Sequence, residues 1–68
     1  MNKIILQEIK DIADTVALVA LCGGDSSGQI RAEMSRLGAT YGLDEQTLAG
    51  AKKQLMTRLN QQYNIRGL

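Results

Sequence analysis

The stretch Ile5-Leu6-Gln7-Glu8-Ile9-Lys10-Asp11-Ile12-Ala13-Asp14-Thr15-Val16-Ala17-Leu18-Val19 decides the fold. Within it Ile5, Ile9, Ile12, Val16 and Val19 recur at alternating steps of four and three residues. That is the spacing of one helical face with a heptad-like seam. Leu6, Ala13 and Ala20 form a second row beside the first, while Lys3, Gln7, Lys10, Asp11 and Asp14 supply a polar side. The spacing predicts a long helix over residues 2–22.

The polar side ends at Asp14. From Thr15 to Gly24 no residue is charged, and Leu18 and Leu21 fall where the polar side should continue. A helix that is apolar all round is normally buried all round. The short chain that follows is hardly able to cover every side of it, so the second half of this helix is the first candidate for an interface.

Gly23-Gly24 stops the first helix, because glycine accepts the left-handed conformation common at helix ends. Asp25-Ser26-Ser27 offers capping oxygens for the next one, and Ser26 with Gln29 has capping-box spacing. A second helix over residues 27–37 places Ile30, Met34 and Leu37 on one face, with Arg31, Glu33 and Arg36 outside it. Gly38 to Leu43 reads as a break. Asp44 caps a third helix over residues 45–63, whose buried row is Leu48, Ala51, Leu55, Leu59 and Tyr63, with Met56 beside it. No strand-like alternation of useful length appears. The expectation is an all-α fold: one small three-helix domain spanning residues 1–68.

Size and composition narrow the rest. The chain has 68 residues, one cysteine, and no histidine, proline, phenylalanine or tryptophan. A domain of this size buries only about 60% of the surface its unfolded chain exposes. Small domains therefore tend to be stabilised by disulfides, metals or association. A single Cys22 permits no internal disulfide, and without histidine no zinc set of the usual type can form. Elimination leaves association, so a homodimer sealed along the first helix is expected. Net charge is +1, but Lys52, Lys53, Arg58 and Arg66 crowd a C-terminal region that lacks acids. Such cations usually serve the end of a helix, where they suit its dipole. No run approaches the ~20 apolar residues of a membrane span. The N-terminus lacks a signal-peptide layout, which points to the cytoplasm.

Chemistry-bearing motifs are weak. Gly23-Gly24-Asp25-Ser26-Ser27-Gly28 lacks the Lys-Ser/Thr of a phosphate-cradling loop and has no strand before it. Asp25-Ser26 is no carrier-protein serine, because the chain is not acidic and the Asp-Ser-Leu pattern is missing. Cys22 reads as a small buried hydrophobe without a base or cation to activate it. No enzyme and no cofactor is expected. The double glycine also fits the leader of an exported peptide, although the segment before it reads as core.

Leu37-Gly38-Ala39-Thr40-Tyr41-Gly42-Leu43-Asp44-Glu45-Gln46-Thr47-Leu48 resembles the generic pattern of bacterial DNA-binding helix-turn-helix units, with Gly42 in the turn and Thr47-Leu48 opening the second helix. The resemblance implies that Gln46, Thr47, Ala49, Gly50 and Lys53 face bases while Lys52 and Arg58 touch phosphates. Against it, Glu45 would begin the recognition helix with a charge that phosphates repel. Gly50 also weakens that helix by about 1 kcal/mol relative to alanine.

The reading favoured is a small regulatory or inhibitory protein that binds another protein, for instance a transcription regulator, through an apolar helical face. Ile12, Val16, Leu18, Val19 and Leu21 are the expected interface, with Tyr63 and Arg66 as outer contacts. Nucleic-acid binding is the alternative, through Gln46, Thr47, Lys52, Lys53 and Arg58. A structural assembly subunit is a third class, recognisable by higher oligomers without a partner.

Overall fold

A computed structural model describes residues 2–65, which form three α-helices and no strand: α1 (Lys3–Leu21), α2 (Ser26–Tyr41) and α3 (Glu45–Tyr63). Each begins with a side chain that satisfies an otherwise orphan backbone donor. The Asn2 side-chain Oδ1 accepts from the Ile4 N–H at 2.7 Å. Asp25 accepts from the Gly28 N–H at 3.0 Å, and Asp44 from the Thr47 N–H at 2.7 Å. Of the three capping candidates Asp25, Ser26 and Ser27, Asp25 is the cap of α2; Ser26 is the first helical residue, so the capping box of Ser26 with Gln29 does not form.

The ends are equally local. Gly23 adopts φ 77°, which lets its N–H reach the Ala20 carbonyl and the Gly24 N–H reach that of Val19 at 2.8 Å. This is the paired closure of a Schellman motif. Gly42 repeats the left-handed turn after α2 with φ 63°, and the Leu43 N–H donates to the Gly38 carbonyl at 3.0 Å. So α2 runs through Gly38, Ala39 and Thr40 to Tyr41, four residues beyond the expected end at Leu37. A helical glycine costs only about 1 kcal/mol, too little to stop a helix whose next residues still bond. Gly38 also stands where Leu48 of α3 comes close: a β-carbon added there would lie 3.2 Å from Leu48 Cδ2.

The helices enclose one core: Ile5, Ile9, Ile12, Ala13, Val16 and Ala17 from α1, Ile30, Met34 and Leu37 from α2, and Ala51, Leu55 and Leu59 from α3. Leu43, Leu48, Met56, Tyr63 and Ile65 pack around its edge. No polar or charged side chain is buried among the described residues, so no desolvated polar group needs a partner. Helix α1 packs against both others more extensively than those two pack against each other. Two polar ties reach across. Arg36 of α2 donates to Glu8 of α1 at 3.1 Å and to Glu33 at 3.2 Å, and the Tyr63 hydroxyl of α3 donates to Asp14 of α1.

Candidate functional site

The fold divides α1 lengthwise. Its inner face holds the core, and its outer face is exposed among the described residues. Ile12 and Val16 are 1% and 0% exposed and contact α2 and α3 from inside. Both were expected at an intermolecular seam, and in this fold a second chain has no access to them. The correction follows from α1 being the common partner of α2 and α3: its regular apolar stripe is what those helices cover. Val19 is half-buried at the edge of the stripe.

Leu18 and Leu21 are the interface candidates left open, at 64% and 81% exposure. They stand three residues apart and so lie next to each other on the helix surface. Cys22, next in the chain, is also exposed. Its apolar neighbours predict a buried thiol, but α1 closes in the Schellman turn with Cys22 at its C-cap, outside the core. Ile4 and Leu6 add 58% and 40% exposed side chains at the other end of α1. Between the two ends the outer side carries Gln7, Asp11 and Asp14, so the leucine pair is a separate patch.

Tyr63 is brought near this patch. Its hydroxyl donates to Asp14, which lies one turn before Leu18 on the same side of α1. The bond to Asp14 foremost, then burial, holds the phenol above its ordinary range, because ionisation would set two anions together. Arg66, the other expected outer contact, lies outside the described residues.

The basic candidates of α3 do not share a face. Gln46, Thr47, Lys52 and Lys53 are exposed and Arg58 is half-buried. Lys52 and Arg58, six residues apart, stand about 120° apart around the helix axis. Lys52 lines the groove toward α2, whereas Arg58 donates to Gln62 at 3.3 Å beside a shallow polar depression formed with Gln54, Thr57 and Gln61. Asp44 and Glu45 occupy the start of α3. Hydrogen bonds from Thr47, its side chain before its backbone, pull the Asp44 carboxyl below its ordinary range.

Sequence reasoning missed two features. One is the Glu8–Arg36–Glu33 tie, since nothing in the spacing of α1 and α2 fixes their relative rotation. The other is the groove lined by Ser27, Ile30, Arg31, Lys52 and Met56, whose residues come from two helices whose relative rotation the sequence does not fix. No group of three or more His, Cys, Asp or Glu side chains placed to hold a metal ion occurs among the described residues. None of the helices among them is long and apolar enough to cross a membrane. No family model, no curated protein and no solved structure matches the chain.

Proposed function

We propose that this chain is a small non-enzymatic regulator that docks on a partner protein through the C-terminal end of α1. The observation that carries the reading is the adjacent exposure of Leu18 and Leu21 on the part of α1 that has no charge. Both leucines stand opposite the core stripe, so the fold gains nothing from their being apolar. A second protein surface gives the apolar character a use.

The patch favours a different protein over a second copy. Burying a leucine fully contributes about 1.5–3 kcal/mol, so two leucines from each of two copies yield at most about 6–12 kcal/mol. Association itself costs about 4–15 kcal/mol. A dimer sealed only there barely offsets that cost, and Ile12 and Val16 cannot add to it. A partner with a complementary pocket brings apolar surface of its own.

The test is capture from a lysate of the native host with the wild-type chain and with Leu18→Glu, eluted in salt steps. The reading expects one stoichiometric protein that survives high salt on the wild type and is absent from the variant. Equal capture by both removes α1 as the docking face. Light scattering of the two chains addresses the dimer: a molar mass that halves in Leu18→Glu supports a homodimer sealed there.

DNA binding stays as the second reading on one observation: α3 carries Lys52, Lys53 and Arg58, and its only acid is Glu45, at its start. Under that reading Lys52→Glu with Lys53→Glu abolishes a salt-sensitive DNA complex, since phosphate contacts dominate such affinity. DNA binding that is absent in the wild type at low salt removes it.

A further inference from the structure

We infer that the groove between α2 and α3 is a docking site for an acidic peptide segment of a partner protein, one that carries an aliphatic side chain beside its carboxylate. This site is separate from the leucine patch of α1 and does not depend on it. Its volume is about 230 Å³, and its lining comes from Ser27, Ile30 and Arg31 of α2 and Lys52 and Met56 of α3.

The chemistry of the lining selects the occupant. Two cations stand on facing helices, and no acid is among the lining residues. Arg31 and Lys52 take part in no ion pair or hydrogen bond among the described residues, whereas Arg36 on the same helix as Arg31 is held by two glutamates. Lys3, Lys10 and Lys53 likewise take part in no ion pair or hydrogen bond among the described residues, but none of them lines this groove. The groove lies at the N-terminal end of α2, whose dipole adds to the positive potential there. The acids nearest in sequence are both engaged elsewhere: Asp25 accepts from the Gly28 N–H, and Glu33 accepts from Gln29 and Arg36.

Beneath the charges the surface is apolar. Ile30 belongs to the core at 4% exposure, and Met56 is half-buried at the core's edge. A carboxylate between Arg31 and Lys52 therefore brings its neighbouring side chain over Met56, whose unbranched thioether adapts to varied apolar shapes. An inorganic anion would leave that floor uncovered. A nucleic-acid backbone needs a continuing track of cations, and this groove has two. An acidic-aliphatic peptide satisfies both halves of the site.

The probe is the acetylated, amidated pentapeptide Glu-Leu-Glu-Glu-Leu, titrated into the isotopically labelled full chain by NMR, with the Gln-Leu-Gln-Gln-Leu peptide and inorganic phosphate as comparisons. The expected result is saturable shifts centred on Ser27, Arg31, Lys52 and the Met56 methyl with the acidic peptide, absent with the glutamine one. Binding weakens about tenfold or more in Arg31→Gln with Lys52→Gln, which removes two charge-assisted contacts and introduces no repulsion. Leu18→Glu, which disables the α1 patch, leaves the peptide shifts in place, so failure of either site is seen separately. Shifts of equal size with the glutamine peptide, the same shifts with phosphate alone, or shifts centred elsewhere would overturn the assignment. So would no shift at millimolar peptide.

Discussion

Leu18 and Tyr63 show how single side chains separate holding the fold from facing outward. Leu18 points away from the core of its own helix, and Tyr63 reaches back to Asp14 from a helix that begins far along the chain. The Tyr63 bond has a pH signature. Its folded pKa is raised above the ordinary 10.0 by the Asp14 hydrogen bond, so the neutral phenol is favoured in the folded chain. That contribution is fully present below about pH 10 and is lost as pH rises through the raised folded value. Tyr63→Phe should therefore melt below the wild type at pH 8, and the gap should narrow as pH rises through the raised value of the folded phenol. Parallel melting curves across that range would remove the bond from the account. Cys22 makes a simpler forecast: being exposed, it should react with a thiol reagent in native buffer about as fast as in denaturant. Strong protection would return it to the interior. Its exposure was hidden in the sequence because an apolar neighbourhood reads the same whether the turn folds a residue inward or leaves it out.

At the scale of the helices, much was legible in single residues. Asp25 and Asp44 sit where N-caps are needed, Gly23 and Gly42 have the left-handed conformations that end α1 and α2, and the cap at Asn2 is shown only by the structure. Three helices with nearly these bounds follow from that punctuation. The end of α2 was misplaced because Gly38 resembles a stop, although backbone bonds carry the helix on to Gly42. Gly42→Ala tests this directly. Nothing lies within 4 Å of the added β-carbon, so the whole cost is the backbone conformation, about 1–2 kcal/mol. Gly42→Asn should lose less, and equal stability of all three chains in urea would deny the left-handed stop. The inner stripe of α1 was also legible, but its partner was not. The same spacing serves a seam between chains or a core within one, and only the return of α2 and α3 decides between them. Ile12→Ala and Leu55→Ala should each lose about 2–5 kcal/mol, a large part of the roughly 3–10 kcal/mol expected for a chain of this length. A loss under 1 kcal/mol in either, measured by urea unfolding, would place that residue outside the core.

For the molecule as a whole, α1 has two opposed duties. Its inner face organises α2 and α3, and its outer C-terminal end offers two leucines and a thiol to the surroundings. The position of Cys22 beside Leu21 makes the central claim directly measurable. A photoactivatable crosslinker attached to Cys22 in the full chain, illuminated in a lysate of the native host, should yield one dominant adduct with a different protein. Leu18→Glu carrying the same crosslinker should keep the wild-type melting temperature and lose that adduct. An adduct that persists in the variant, a product of twice the chain's own mass, or no discrete adduct with the wild type would contradict docking of a partner protein on the end of α1.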